Sequence, residues 1–151
     1  MEGVQTALMF HMVLQEAKMC NISMACHFES INEGAIRVTP DGNAYLTAVG
    51  QVLSAMKIHC GGKLCHTGRF SAASTKDGVI SLTLLNPFYD KPISVFIPVS
   101  GEMIGKKLYT SDSVMPHTVF DVADAAVDPI DGGYFCNIPP HSLLAVQIKE
   151  K

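Results

Sequence analysis

The sequence VISLTLLN at residues 79–86 decides the class of fold, because apolar and polar residues alternate along it. A period of two residues is typical of a β-strand that presents one face to a core. The apolar side chains that share this face are Ile80, Leu82 and Leu84. Two further stretches repeat the pattern, PISVFIPV at 92–99 and SLLAVQIK at 142–149, and the second aligns Leu144, Val146 and Ile148. The sequence therefore predicts several half-buried strands.

Shorter strand candidates and turn residues fill the space between these stretches. KKLYTS at 106–111 and YFCNI at 134–138 are strand candidates, and 64–70 is a third. The turns TKDG at 75–78 and DGG at 131–133 separate them, and NPFYDKP at 86–92 is interpreted as a hairpin connection. Short strands at this spacing predict an antiparallel β-sandwich domain over residues 63–151.

The N-terminal part has a different periodicity. Residues 4–20, VQTALMFHMVLQEAKMC, repeat apolar positions every three or four residues, which predicts a largely buried helix that ends near Asn21. The run ISMACHF at 22–28 predicts a buried strand, followed by a loop at 29–34 and a turn at 40–43. A second helix is predicted at 44–58, with this apolar stripe: Leu46, Val49, Val52, Leu53 and Met56.

Residues 1–62 thus form a helix–strand–helix segment that poses a physical problem. A single buried strand needs neighbouring strands to pair its backbone N–H and C=O groups. The segment therefore either packs against the sandwich or is the end of a larger α/β domain that lies outside this chain. The predicted fold class is mainly β: an antiparallel β-sandwich preceded by a segment like the end of a (β/α)8 barrel.

Composition excludes several classes of protein. Of 151 residues, 48% are hydrophobic and 17% charged, and the net charge is -3, which argues against a disordered chain. No apolar run reaches the roughly 18 residues of a membrane span. The balance of 11 basic and 14 acidic residues gives no electrostatic surface for nucleic acid or an anionic membrane. We expect a soluble, globular chain that binds neither.

The number of cysteines indicates whether the chain belongs in a reducing or an oxidising cellular compartment. Five cysteines are an odd number, so a fully paired disulfide framework is impossible: Cys20, Cys26, Cys60, Cys65 and Cys136. Cys20 and Cys26 lie among apolar residues, where cysteine packs as a small hydrophobic side chain. No export signal is apparent in the sequence, and a reducing cytoplasm is the simpler interpretation.

Four segments together resemble the C-terminal end of the alpha-L-arabinofuranosidases of glycoside hydrolase family fifty-one. The helix ALMFHMVLQEAKMCNISMAC at 7–26 is similar to the family's helix before its last barrel strand, and GGKLC at 61–65 falls where the family leaves the barrel. SLTLLNPFYDKPISVFI at 81–97 resembles a sandwich hairpin of the family, and IPPHSLLAVQI at 138–148 resembles its closing strand. The resemblance implies a (β/α)8 barrel whose last units precede a C-terminal sandwich.

The resemblance also implies a chemistry for the parent enzyme. That chemistry is the retaining hydrolysis of terminal arabinofuranosyl residues, with an arabinose-containing oligosaccharide as partner and no metal or organic cofactor. The family's acid/base and nucleophile glutamates both lie upstream of everything matched here. No residue of this sequence inherits either role, so the predicted set of catalytic residues is empty and the sandwich is assigned a structural role.

Substrate contacts are predicted in the loop after the last barrel strand, because barrel active sites lie at the carboxyl ends of the strands. On this interpretation His27, Glu29 and Asn32 line the rim of a sugar pocket in a complete barrel; the alternative is that they are solvated loop residues. Retaining glycosidases need two carboxyl groups about 5 Å apart. A rim carboxylate such as Glu29 or Glu33 without its partner does not hydrolyse a glycoside.

Two clusters invite a metal hypothesis that their spacing does not support. The side chains of His59, Cys60, Cys65 and His66 are of the types that zinc prefers, but adjacent His-Cys pairs point in different directions. The acidic residues Asp121, Asp124, Asp128 and Asp131 lack the order of a calcium-binding EF-hand loop, so a solvated loop is predicted. No metal site is predicted.

Two other functions stay open at this stage. The sandwich face could hold a carbohydrate or a partner chain as a binding module without catalysis. Alternatively, the chain is an interaction domain whose N-terminal helices pair with a second copy in a homo-oligomer. An apolar surface of several hundred Å² left by an absent barrel would favour such association.

Overall fold

The computed structural model describes residues 2–17, 19–22, 25, 31–32, 34–113 and 118–150. Within them are the helices α1 (Glu2–Glu16) and α2 (Ala48–Met56), and a short 3-10 helix at Lys57–His59. The strands are β1 (Ile36–Val38), β2 (Ala44–Leu46), β3 (Lys63–Cys65), β4 (Ser71–Lys76), β5 (Val79–Asn86), β6 (Ile93–Ile97), β7 (Glu102–Thr110), β8 (Asp121–Asp124), β9 (Val127–Ile130), β10 (Gly133–Ile138) and β11 (Ser142–Lys149). Neither α-helix has the length and apolar character that crossing a bilayer demands.

The strands form three antiparallel sheets. The largest has six strands in the order β3-β4-β5-β11-β7-β8, the second has the order β6-β10-β9, and the third consists of β1 and β2. The centre of the large sheet is β11, where Leu144 lies opposite Leu84 of β5 and Leu108 of β7. The prediction of a mainly β chain with an antiparallel sandwich is confirmed.

Both faces of the large sheet are covered, each by a different layer. Leu144, Val146 and Ile148 project from β11 into a core shared with the three-stranded sheet. Leu143, the neighbour of Leu144, projects to the opposite face and contacts a second core that α1 and α2 complete with Ala7 and Val52, among others. Burying one such leucine contributes about 2 kcal/mol. The two helices, which we call the helical layer, therefore pack directly on the sandwich.

Two predicted turns are present where the sequence places them. Asp77 and Gly78 join β4 to β5 with φ angles of 51° and 72°, so both central residues are left-handed, which matches the twist of a two-residue hairpin. Asp131 and Gly132 join β9 to β10. The next residue, Gly133, is required by packing, because a Cβ there would lie 2.1 Å from the carbonyl oxygen of Ile97.

The predicted hairpin at 86–92 is wrong. The strand before it, β5, pairs with β4 and β11, whereas the strand after it, β6, pairs with β10 in the other sheet. The segment therefore crosses from one sheet to the other. Its direction is set by the buried side chain of Asn86, which hydrogen-bonds the backbone of the crossing segment and of the segment before β11.

The predicted second helix begins too early. Residues 44–46 form β2, which pairs with β1 across the turn at 40–43, and α2 begins only after Thr47. Thr47 ends the strand and caps the helix, because its hydroxyl accepts a hydrogen bond from the backbone N–H of Gly50 at 3.2 Å. Leu46, predicted to be on the buried stripe, is instead exposed.

Two further predicted boundaries are wrong, and one predicted strand lies mostly outside the described residues. Helix α1 ends at Glu16 rather than at residue 20, and a turn follows in which Asn21 has a φ of 54°. The predicted strand at 22–28 lies outside the described residues except for Ile22 and Ala25. The strand candidate at 64–70 is wrong: β3 ends at Cys65, and β4 begins only at Ser71.

Candidate functional site

The predicted substrate rim is described in part. His27, Glu29 and Glu33 lie outside the described residues, so their role stays a prediction. Asn32 is exposed and has a left-handed φ of 65°. Its backbone N–H donates to the carbonyl of Ile36, and its side-chain Oδ1 accepts from the backbone N–H of Val38 at 3.0 Å. Asn32 thus holds the start of the β1–β2 hairpin.

A buried polar cluster joins the helical layer to the large sheet. Nε2 of His11 in α1 and Nε2 of His59 in the 3-10 helix lie 2.9 and 3.0 Å from the same atom, Oγ1 of Thr83 in β5. Nδ1 of His59 lies 2.9 Å from the hydroxyl of Ser74 in β4. All four side chains are buried. We call this group the histidine joint; the alternation of apolar and polar residues at 79–86 did not reveal it.

Both imidazoles of the histidine joint are held neutral. Burial lowers the pKa of His11 to about 4, with a smaller contribution from the positive charge that His59 would carry, and burial lowers the pKa of His59 to about 4. Neither α2 nor β5 carries a titratable side chain, β4 carries Lys76 at its end, and the carboxylates of α1 are at its first and last residues. No carboxylate contributes to either shift.

The structure disperses the cluster at 59–66. The ring nitrogens of His59 are occupied by Thr83 and Ser74, whereas Cys60, Cys65 and His66 are exposed. Across the described residues, no three side chains of His, Cys, Asp or Glu are placed to hold one metal ion. A shared zinc site at 59–66 therefore has no geometric basis.

The acidic residues lie mainly on strands rather than in the predicted solvated loop. Asp121 and Asp124 begin and end β8, and Asp128 belongs to β9; all are exposed. The carboxylate of Asp124 accepts a hydrogen bond from Nζ of Lys107 on the adjacent strand β7 at 2.7 Å. This pair neutralises one carboxylate at the edge of the sheet, and solvent screens the attraction because both side chains are exposed.

The side chain of Asn86 makes several hydrogen bonds within the sandwich. The two hydrogens of its Nδ2 are shared among the carbonyl oxygens of Lys91, Ile138 and Pro139, each at 2.9 Å, and its Oδ1 accepts from the backbone N–H of Phe88 at 3.1 Å. Carbonyl oxygens only accept, so the amide can have only this orientation. The side chain is fully buried and ties the sheet-crossing segment to the Pro-Pro segment before β11.

Apolar surface remains uncovered around the helical layer. Met9 and Met12 of α1 are each about half exposed, at 48% and 49%. An open groove of about 820 Å³ lies between β2, α2 and the β7–β8 edge, and it includes the exposed Tyr45 and Leu46. A second groove of about 340 Å³ runs between α1 and α2. The inner face of the helical layer is sealed, whereas its outer side is not.

Comparisons with known proteins find the fold but no close relative in sequence. No protein-family model matches the chain, and no curated protein matches it. A family 51 alpha-L-arabinofuranosidase from Bifidobacterium longum superposes with a TM-score of 0.79 at 12% identity, over 97% of this chain and 34% of that protein. An alpha-L-arabinofuranosidase from Thermotoga maritima gives 0.73 at 18% identity, over 97% of this chain and 38% of that protein.

A second glycosidase family shares the arrangement less closely. A glycoside hydrolase family 30 subfamily 8 xylanase from Clostridium acetobutylicum has a TM-score of 0.60 at 11% identity, over 97% of this chain and 39% of that protein. The chain spans little more than a third of the length of these solved structures. Its fold is that of the C-terminal region of family 51 alpha-L-arabinofuranosidases, as the sequence resemblance implied.

Proposed function

We propose that this chain is the C-terminal portion of a retaining glycoside hydrolase of the alpha-L-arabinofuranosidase type. Residues 1–62 contribute the last units of the barrel, and residues 63–151 form the sandwich domain. One observation carries the proposal: the match to the arabinofuranosidases runs through helical layer and sandwich together, over 97% of the chain. A free-standing sandwich module would match over its strands alone.

The uncovered side of the helical layer supports the same proposal. Monomeric proteins rarely leave a contiguous apolar surface open unless another element docks on it. Two sets of large apolar side chains are exposed here, Met9 and Met12 on α1 and Tyr45 and Leu46 on β2. The remaining strands and helices of the barrel cover this side. The sandwich supports the barrel through the histidine joint, which links α1 and the 3-10 helix to the large sheet. A second copy of the chain, as in a homo-oligomer, is the alternative occupant.

The catalytic chemistry then belongs to the part of the enzyme upstream of this chain. Hydrolysis with retention uses a nucleophilic carboxylate and an acid/base carboxyl about 5 Å apart, and it needs no metal or organic cofactor. His27, Glu29 and Asn32 line the substrate rim after the last barrel strand, where they contact an arabinose-containing oligosaccharide. Cys20, Cys60, Cys65 and Cys136 are free thiols, which supports a cytoplasmic location.

We expect the isolated 151-residue chain to hydrolyse no 4-nitrophenyl α-L-arabinofuranoside, because the two catalytic carboxylates are not part of it. The measurement is nitrophenolate release over hours at saturating substrate, with a full-length arabinofuranosidase as positive control. The matched variants are Glu29→Gln and Glu33→Gln. Turnover by the wild-type chain that persists in both variants would contradict the assignment of the catalytic pair to the upstream region.

A further inference from the structure

Two cations and two aromatic rings form a continuous surface on the sandwich that the proposed function does not use. The rings of Phe70, just before β4, and Phe88, in the sheet-crossing segment, meet edge-to-face with their centroids 6.3 Å apart. Cζ of Arg69 lies 5.7 Å from the centroid of Phe70, and Nζ of Lys91 lies 4.8 Å from that of Phe88. We call these four side chains the cation–aromatic patch.

The backbone of both segments that carry the patch is fixed by hydrogen bonds to β5. The carbonyl oxygen of Phe70 accepts from the backbone N–H of Leu85 at 2.8 Å. The side chain of Asn86 accepts from the backbone N–H of Phe88 and donates to the carbonyl oxygen of Lys91. Because these segments are held in place without a ligand, binding has little backbone to order, which favours affinity.

The charges of the patch are available to a ligand. Arg69 and Lys91 are exposed, and the ion pair found among the described residues is elsewhere, between Lys107 and Asp124. The carboxylate of the sheet-crossing segment, Asp90, is exposed and pairs with neither cation. An aromatic ring attracts a cation through its π face without a conventional acceptor atom, so the guanidinium and the ammonium keep N–H donors for an anion.

The composition of the patch favours one class of ligand. Guanidinium and ammonium groups form their strongest hydrogen bonds with carboxylate and phosphate oxygens. The net charge of the whole chain is -3, which disfavours nucleic acid, because binding to nucleic acid depends on many phosphate contacts. Phe88 is 39% exposed, so part of its ring is open to an apolar contact beside the ammonium. A ligand with separate carboxylates and apolar C–H faces between them fits this arrangement.

We propose that the cation–aromatic patch binds a polysaccharide that contains uronate units, with their carboxylates on Arg69 and Lys91 and a sugar C–H face against Phe88. The choice of a polysaccharide over an acidic peptide rests on the proposed function, in which the chain belongs to an enzyme that acts on carbohydrate. The patch then gives the sandwich a second role, which is to hold an acidic part of the polymer away from the catalytic residues.

The test is an NMR titration of the 151-residue chain with α-1,4-trigalacturonate at millimolar concentrations. The comparison ligand is its fully methyl-esterified form, which has the same sugar rings without the charges. We expect trigalacturonate to shift the amide signals of residues 69, 70, 88 and 91, and to bind more weakly as sodium chloride is added, because salt screens exposed charges.

A double variant, Arg69→Gln with Lys91→Gln, should weaken this binding at least tenfold, since it removes both charged donors. The matched control is Lys149→Gln. Lys149 is also exposed, but it pairs with Val79 at the far end of β5 from Asn86. All the replaced side chains are exposed, so we expect every variant to keep the wild-type melting temperature.

Binding of trigalacturonate that is lost in the double variant and kept in Lys149→Gln supports the proposal. It is overturned by no response to trigalacturonate, by equal binding of the methyl ester, or by a response that the double variant leaves unchanged. Tighter binding of hexaglutamate than of trigalacturonate also overturns it and makes the patch a surface for acidic peptides. A failure of the proposed function would appear differently, as a parent protein that does not hydrolyse arabinofuranosides, whatever the titration shows.

Discussion

Acidification from pH 7 to pH 5 is expected to remove about 4 kcal/mol from the free energy of unfolding through the histidine joint. His11 and His59 have pKa values of about 4 in the folded chain, against 6.5 for an ordinary histidine. Above pH 6.5 both rings are neutral in both states, and their stabilising contacts are fully present. As the pH falls from 6.5 towards 4, the unfolded chain takes up protons that the folded chain does not, so stability is lost.

Urea unfolding at a series of pH values measures this effect, since the slope of stability against pH gives the difference in bound protons. Between pH 5 and 6 this slope reports how many more protons the unfolded chain binds than the folded chain. Replacing one buried ring, as in His59→Gln, should reduce that number by about one. The control is His66→Gln, which changes an exposed histidine outside the histidine joint. Should a buried variant fail to fold, titration of the wild-type imidazole signals by NMR gives the same answer. Imidazoles that titrate near 6.5 would contradict the prediction.

Asn86→Ala is expected to cost about 3 kcal/mol, because it removes the donor from three backbone carbonyls, one of them on the fully buried Ile138, and opens a small cavity. The carbonyls belong to Lys91, Ile138 and Pro139, so the loss affects both segments that the amide joins. The matched control is Asn137→Ala, since Asn137 is exposed and bonds only the hydroxyl of Ser94 among described side chains.

The measurement for Asn86→Ala is the midpoint of urea unfolding at pH 7. An unchanged denaturant slope m shows that the variant changes stability and not the compactness of the unfolded or folded state. The control should lose less than about 1 kcal/mol, as is usual for an exposed side chain. Equal losses for Asn86→Ala and Asn137→Ala would show that the hydrogen bonds of Asn86 do not hold the sheet-crossing segment to the Pro-Pro segment before β11.

The strands that the sequence predicted well are those at the centre of the sandwich. Residues 79–86 and 142–149 are strands with the predicted bounds, because each must place alternate side chains in the core against the other sheet. The turns at 75–78 and 131–133 were also predictable, since each carries a glycine with a positive φ. These features depend on local patterns that a single sequence displays.

The errors arose where distant contacts override local patterns. Residues 44–46 continue the apolar period of α2, yet pairing with β1 makes them a strand and Thr47 starts the helix. The segment at 86–92 has the composition of a hairpin, but the bonds of Asn86 to residues 138 and 139 direct it to the other sheet. No window of sequence around residue 86 contains that information.

The candidate site residues also differ in whether local sequence or contacts distant in sequence determine their surroundings. Asn32 could be predicted as a loop residue, whereas its role in capping the β1–β2 hairpin depends on where β1 begins. His11 lies in the middle of an apolar helix, and its partner Thr83 is 72 residues away, so no spacing could reveal the pair. Residues 138–148 resembled the family's closing strand, but the burial of His141 and its contact with the carbonyl oxygen of Tyr89 became apparent only in three dimensions.

The central claim is that a longer glycosidase carries this sequence as its C-terminal third. It is tested most directly by separating the proteins of the source cells by size and locating peptides from residues 79–149 by mass spectrometry. The account predicts these peptides in a polypeptide close to three times the length of this chain, in a fraction that hydrolyses arabinofuranosides. Recovery of all of them at 16.3 kDa, the mass of this chain alone, would contradict it.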